Sequence, residues 1–148
     1  MEYFVQIVSA IVATFGFALI FNVKKEHILG ASMGALISWG SYLFFMHLEI
    51  PVFFSTLFAS MLIGIYGEVM ARIRKVPTTI YFMPGCIPLI PGSNLYYALQ
   101  AFIMGEGLAF ETNIKLLVYY ALGISLGLFI ITETDAARLK LKRILSRK

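Results

Sequence analysis

The sequence predicts an all-helical membrane protein with five crossing segments, the fourth of them broken by proline and glycine. Hydrophobic residues make up 59% of the 148 residues and charged residues only 14%, against about a quarter charged in a typical soluble domain. The apolar residues fall into long blocks, which is typical of membrane spans. A soluble fold of this size would lack the polar surface needed to cover its core.

Three long apolar blocks occupy the first half of the chain, at residues 3–23, 28–46 and 52–71. Each has roughly the 20 residues that a helix needs to cross the hydrocarbon core. The last block, residues 116–132, is shorter but still suits one crossing. The first block follows Glu2 without a basic leader, so we interpret it as a retained span and not as a signal peptide.

Residues 76–105 are apolar but interrupted, and the placement of lysine and arginine indicates how often they cross. Cytoplasmic loops collect basic residues because these residues resist translocation. The loops after the first and third blocks are therefore placed inside, with Lys24, Lys25, Arg72, Arg74 and Lys75. If residues 76–105 cross once, all 12 basic residues except Lys115 are cytoplasmic. The predicted topology in the cell (inner) membrane is five crossings, with the N-terminus outside and the C-terminus inside.

The chain is predicted to divide into a membrane domain, residues 1–135, and a basic cytoplasmic tail, residues 136–148. In a helical tail Leu141, Ile144 and Leu145 share one face, which suits an interfacial helix on anionic lipid. The alternative is a solvated, frayed C-terminus, and the sequence favours neither.

Four of the five prolines fall between Pro77 and Pro91, inside the fourth segment. Proline removes a backbone donor and clashes with the carbonyl four residues earlier, which here would free the carbonyls of Ile80, Pro84 and Ile87. In lipid such a break must be buried in protein or line a wet cavity, because unpaired backbone groups are costly there. The sequence therefore predicts that no continuous helix spans this segment.

A second half-helix is predicted to begin at Ser93 or Asn94, since either residue is a good N-cap. Its amino terminus would lie well inside the membrane and carry a partial positive charge, as in transporters whose discontinuous helices hold carboxylates. We therefore predict a site for a small carboxylate-bearing solute, formed by Pro84, Gly85, Pro88, Pro91, Gly92, Ser93, Asn94, Tyr96 and Tyr97. The alternative is a kink needed only for packing, and the two tyrosines could equally be packing aromatics.

Few other side chains suggest chemistry. Glu68 lies well inside a predicted span and is a candidate for proton coupling, although Arg72 follows four residues later and a local ion pair is the alternative. His27 and His47 are predicted to be interfacial loop residues, and Cys86 a small buried hydrophobe. This set predicts no metal site and no cofactor, and no catalytic motif indicates an enzyme.

Two GxxxG pairs, Gly30 with Gly34 and Gly123 with Gly127, would let helices approach closely. The motif is frequent by chance in apolar sequence. The pairs therefore favour a compact bundle without identifying any particular contact.

The proline-rich segment contains a recognisable series of short motifs, namely Lys75-Val76-Pro77, Pro84-Gly85, Pro88-Leu89, Pro91-Gly92 and Tyr96. This series resembles the C-terminal half of threonine/serine exporters of the ThrE type. It is also similar to the small stand-alone YjjB-like subunit of the split form. The length of the chain and its number of hydrophobic blocks match as well.

The resemblance implies export of threonine and serine, or of a dicarboxylate such as succinate. It also implies a partner, because in this family the carboxyl half works with a second membrane half, either fused or as a separate YjjP-like protein. The other half is absent from this chain, so transport by the chain alone is in doubt. The alternatives are a non-transporting interaction or assembly subunit, and a self-assembled channel.

Overall fold

The structure, a computed structural model, describes the backbone of residues 1–145 and the side chains of residues 1–134, and this part is helical without a β-strand. The all-helical prediction is confirmed. The elements are α1 (Glu2–Ile20), α2 (Lys25–His47), α3 (Val52–Arg74), α4 (Thr79–Cys86), a 3₁₀ turn (Ile87–Leu89), α5 (Gly92–Met104) and α6 (Gly107–Leu145).

Four helices in the described part are long and apolar enough to cross a membrane. They are α1, α2, α3 and the Gly107–Thr134 portion of α6. The fourth predicted segment corresponds to the shorter apolar stretch Thr79–Leu89, followed by α5. The predicted break is therefore present in the backbone, between the 3₁₀ turn and α5.

Short turns join the first four helices and make neighbours in sequence antiparallel. Each turn contains a residue with a left-handed backbone, namely Asn22, Glu49 or Lys75, with φ between 54° and 58°. Pro51 and Pro77 follow the second and the third of these turns. Because proline has no backbone N–H to donate, the preceding helix cannot continue through them. We call the end that holds Met1 and Glu49 the outer end of the bundle, following the predicted orientation, and the opposite end the inner end.

Helix α4 packs between α2 and α3 and runs parallel to α2. Near the inner end Tyr81 bonds to His27, and one turn further out Gly85 accepts a hydrogen bond from the Ser38 hydroxyl, 2.6 Å long. A methyl group built at Gly34 would lie 3.3 Å from the Gly85 Cα. The two backbones are therefore in close contact at this level.

Helix α6 packs along α3 and runs parallel to it. A methyl group at Gly123 would lie 2.9 Å from the Phe53 carbonyl oxygen, and one at Gly127 would lie 2.6 Å from the Leu57 carbonyl oxygen. Both GxxxG pairs thus lie at helix contacts. Because α4 runs parallel to α2 and α6 runs parallel to α3, Met1 and the end of α6 lie at opposite ends of the bundle.

The predicted N-cap at Ser93 or Asn94 is wrong. Helix α5 begins at Gly92, with Pro91 in the cap position and no side-chain capping bond. The Pro91 carbonyl accepts the Leu95 amide at 3.1 Å, so the first helical bond already closes on the proline. The Asn94 side chain instead donates to Asn113 of α6, at 3.4 Å.

Helix α5 begins at the outer end of the bundle, and the predicted depth of its start in the membrane stays a prediction. Asn94 is level with Asn113, and Leu116, one turn later in α6, lines a pocket with Pro51 at the start of α3. A 3₁₀ turn rises about 2.0 Å per residue against about 1.5 Å in an α-helix. Together with the extended Ile90, it carries the chain across the rest of the bundle before α5 starts.

Helix α5 packs against α6 and forms with it an outer hairpin, residues 92–115. At helical rise, Gly107 and Leu116 are about 14 Å apart along the axis of α6. Because Leu116 lies beside Pro51 at the start of α3, the hairpin extends beyond the start of α3. It carries Glu106, Glu111 and Lys115 together with exposed apolar side chains such as Phe102 and Ile103.

Helix α6 extends past both ends of the predicted block 116–132. It starts nine residues earlier, because Gly107 follows the left-handed Gly105 turn directly, and its backbone is helical through Leu145. The predicted boundary at residue 135 falls within this helix and stays a prediction. The expectations for Leu141, Ile144 and Leu145 concern side chains outside the described residues.

Gly127→Ala is expected to destabilise the bundle, because the added methyl group would meet the Leu57 carbonyl and the Ser60 side chain. Over-packing of this kind costs about 1–3 kcal/mol, which should lower the thermal unfolding temperature in mild detergent. Gly16→Ala is the matched control, since nothing lies within 4 Å of its methyl position. Equal unfolding temperatures for the two variants would contradict the α3–α6 contact.

Candidate functional site

The structure separates the nine residues of the predicted solute site into two groups. Pro84 and Gly85 are buried inside the bundle, and Pro88 is half-buried beside Trp39 and α1. The other six lie at or beyond the outer end, where Tyr96 and Tyr97 are exposed on the outer hairpin. The six are Pro91, Gly92, Ser93, Asn94, Tyr96 and Tyr97.

Two of the three carbonyls predicted to be free accept backbone hydrogen bonds. The Ile87 amide donates to the Pro84 carbonyl, and the Ile90 amide donates to the Ile87 carbonyl at 3.0 Å. Bonds that span three residues replace the α-helical bonds that proline removes, as is usual in 3₁₀ turns. The break is thus largely satisfied from within the chain.

His27 is a buried residue that the sequence interpretation missed. It lies in the first turn of α2 with 5% of its surface exposed, and its Nδ1 is 2.8 Å from the hydroxyl of fully buried Tyr81. The Glu26 carboxylate is 3.4 Å from the other ring nitrogen. The predicted loop position of His27 is wrong because α2 begins two residues before it.

A signal for this burial was present in the sequence. His27 stands at helical spacing from Ala31, Ala35, Ser38 and Tyr42, which form the buried stripe of α2. His47, in contrast, is exposed, although it is the last residue of α2 and not part of a loop.

Helix α1 packs over the broken segment, and we call the contact between the two the seam. A pocket lies at each end of the seam. The inner pocket is about 410 Å³ in volume and the outer pocket about 370 Å³. The inner pocket is lined by Phe21, Asn22, Val23, Lys24, His27, Val76, Pro77, Thr79, Ile80, Met83 and Pro84. The outer pocket is lined by Val5, Gln6, Ser9, Ala10, Ala13, Trp39 and Pro88.

A buried hydroxyl lies on α1 between the two pockets. Ala10, Thr14 and Ala18 are the buried residues of α1 and form one face of that helix. The Thr14 Oγ1 has no hydrogen-bond partner among the described residues. Burying an unpaired hydroxyl is costly, so this position calls for an explanation other than packing.

Glu68 forms the local pair that its spacing suggested. Its carboxylate is 3.4 Å from the Arg72 guanidinium, and 18% of its side chain is exposed. The geometry agrees with the ion-pair interpretation, while proton coupling stays a prediction.

Cys86 is buried beside Tyr42, Ala59 and Leu89, in agreement with its interpretation as a small hydrophobe. The Tyr42 hydroxyl is hydrogen-bonded to the Tyr120 hydroxyl, which ties α2 to α6. Within the part of the chain whose side chains are described, no three His, Cys, Asp or Glu residues come together as metal ligands would.

The fold and the seam define a multi-pass helical membrane protein in which a broken helix packs against α1, α2 and α3. The model of the family described as "Threonine/Serine exporter, ThrE" matches residues 6–133. The chain belongs to this family, which has an exporter-type membrane transport function. The suspected family is thus confirmed.

One curated relative is an uncharacterized protein of Haemophilus influenzae (strain ATCC 51907 / DSM 11121 / KW20 / Rd). It is 27% identical over 94 residues, which are 64% of this chain and 32% of the relative. The chain thus matches about a third of the length of that relative. No solved structure matches the chain.

Tyr81→Phe is expected to destabilise the bundle, because it leaves a nitrogen of buried His27 without its partner. The cost of a buried unsatisfied group is about 1–3 kcal/mol. Tyr66→Phe is the matched control. The Tyr66 hydroxyl donates a 2.7 Å hydrogen bond to the Gly30 carbonyl. That carbonyl lies within α2 and can still accept a helical hydrogen bond when the hydroxyl is removed. Unfolding temperatures in detergent should fall in the order wild type, Tyr66→Phe, Tyr81→Phe, and a Tyr81→Phe variant as stable as wild type would refute the role of this bond.

Proposed function

We propose that the chain is one subunit of a secondary exporter for small carboxylate-bearing solutes, such as threonine and serine or a dicarboxylate like succinate. Membership of the threonine/serine exporter family is the observation that carries this proposal. The solute path is assigned to the seam between α1 and the broken segment, where the two pockets and the Thr14 hydroxyl lie.

The proposed topology is five crossings in the inner cell membrane, with the N-terminus outside. The parallel directions of α2 with α4 and of α3 with α6 support an odd number of crossings. Lys24 and Lys25 lie at the same end as Arg74 and Lys75, and the concentration of basic residues there supports placing that end in the cytoplasm.

Pro84 and Pro88 remain in the proposed solute path, because they line the inner and the outer pocket. Gly85 lies in the close contact with Gly34 of α2 and Ile63 of α3, so its part in the site stays a prediction. The six residues at the outer end are assigned to the place where the path leaves the bundle. In this arrangement the broken helix supplies a wall of the path, and α1 supplies the opposite wall.

We also propose that the chain acts with a second membrane half. The Haemophilus relative supports this, since 94 residues are 32% of it and the relative is therefore about twice as long as this chain. The outer hairpin supports it as well. Its apolar side chains are exposed beyond the start of α3, where the other helices have ended and a partner would cover them.

The outer hairpin also favours a second candidate function, a subunit that assembles another membrane protein without transporting solute. The two candidates differ in what the seam does. An assembly subunit needs the exposed hairpin but no polar group along the seam, whereas an exporter subunit needs both.

Thr14→Val is expected to reduce solute efflux several-fold without loss of stability. Valine has nearly the shape of threonine, and the hydroxyl it replaces has no partner, so removing it should be neutral or stabilising by about 1 kcal/mol. Efflux of threonine and of succinate from loaded cells, normalised to the amount of protein in the membrane, measures the effect.

Thr132→Val is the control for this substitution, because the Thr132 side chain is exposed and its hydroxyl bonds only within α6. It should leave efflux unchanged. Normal efflux in the Thr14→Val variant would exclude the seam as the solute path and would favour the assembly subunit.

Phe102→Ser combined with Ile103→Ser is expected to release the second membrane half. These side chains are 69% and 83% exposed on the outer hairpin. The ring of Phe102 contacts Phe110 within the hairpin, so the substitution should leave the packing of α1, α2, α3 and α4 unchanged. The tagged chain is extracted in mild detergent, and the second membrane protein that co-purifies is quantified. Its recovery should fall several-fold.

The matched control combines Val12→Ser with Leu29→Ser, at residues that are 64% and 75% exposed on α1 and α2. Recovery of the second protein should stay at the wild-type level. If the wild-type chain co-purifies only with copies of itself, the proposed second half is wrong.

A further inference from the structure

We propose that the inner pocket is the cytoplasmic loading site, and that Lys24 binds the carboxylate of the solute there. This inference rests on the proposed function and on the proposed orientation. It adds a binding residue and its place in the fold, neither of which the proline motif or the family match identifies.

The position of the inner pocket suits loading. The pocket opens at the inner end, between the turn that joins α1 to α2 and the start of α4. Pro84 lines it as well, so the pocket reaches the broken segment from the cytoplasmic side. A solute bound there would already touch the broken segment, which forms one wall of the proposed path.

The charges around the pocket favour an anionic group. Lys24 lines the pocket, while Lys25, its neighbour in sequence, does not. The α2 helix begins directly after Lys24, and its amino terminus contributes a partial positive charge at the same place. The nearby Glu26 carboxylate is held 3.4 Å from a ring nitrogen of His27, which also lines the pocket.

The remaining walls suit a short aliphatic solute. Asn22 and Thr79 supply polar side chains that can bond to a hydroxyl or amino group. Val23, Ile80 and Met83 supply apolar surface to the same pocket. Basic, polar and apolar walls together fit a small carboxylate with a short carbon chain, and 410 Å³ is ample for one such molecule.

Transport into inside-out membrane vesicles from cells that carry the chain in its native genetic background tests the proposal. Loading then occurs from the external medium, and initial rates of labelled threonine and succinate uptake are measured against concentration. Lys24→Gln should raise the half-saturating concentration of the transported solute about tenfold or more, since a charge-assisted hydrogen bond is lost. The maximal uptake rate of the Lys24→Gln variant should change much less than its half-saturating concentration.

Lys25→Gln is the matched control, because it removes the same charge one residue away, outside the pocket lining. It should change the half-saturating concentration less than twofold, and Lys24→Arg should restore much of the affinity lost in Lys24→Gln. If wild-type vesicles transport and the two glutamine variants have the same half-saturating concentration, the loading site is wrong while the exporter function stands. If wild-type vesicles transport neither solute above a deletion strain, the exporter function itself is wrong, and the loading site fails with it.

Chemical labelling tests the pocket in the event that Lys24→Gln does not accumulate in the membrane. Thr79→Cys places a thiol in the pocket lining, and native Cys86 is only 7% exposed. In inside-out vesicles, whichever of threonine and succinate is transported should slow the labelling of Thr79→Cys by a membrane-impermeant maleimide. Threoninol, which lacks the carboxylate, should not.

Lys25→Cys serves as the control for labelling and should react at the same rate with or without solute. The unsubstituted chain gives the background from Cys86. Absence of protection at Thr79→Cys by the transported solute, or equal protection by threoninol, would overturn the assignment.

Discussion

The packing of α4 between α2 and α3 is the constraint on which the rest of the structure depends. A helix broken by prolines cannot face lipid, because its unpaired backbone groups would find no partner in the hydrocarbon. Gly34 and Gly85 let α2 and α4 come together, and the Ser38 hydroxyl then reaches the Gly85 carbonyl. The 3₁₀ turn satisfies further carbonyls from within. The break is therefore stable only inside this bundle.

Helix α1 takes no part in the glycine contacts that join α2 to α4 and α3 to α6. Helix α1 packs chiefly against α2 and the broken segment, through the small face of Ala10, Thr14 and Ala18. The unpaired Thr14 hydroxyl lies on this face, between the levels of the inner and outer pockets.

Much of the fold followed from the sequence. The apolar blocks, the break at the prolines and the helix contacts of both GxxxG pairs agree with the structure. The candidate site was harder to predict. The proline motif predicted one continuous site from Pro84 to Tyr97, but the structure leaves only Pro84, Gly85 and Pro88 within the bundle or against α1. Neither the bond between His27 and Tyr81 nor the two pockets followed from any local pattern.

The sequence by itself determined the class of protein, the approximate positions of the long apolar helices and the place where the segment before the last of them is interrupted. These features depend on composition and on the rigid ring of proline, both of which act locally. Only the tertiary structure decided the position of α5 at the outer end of the bundle, the pairing of His27 with Tyr81 and the existence of a seam beneath α1. Each of these depends on which helices become neighbours and in what register. Close glycine contacts between helices distant in sequence set that register, and no local pattern contains it.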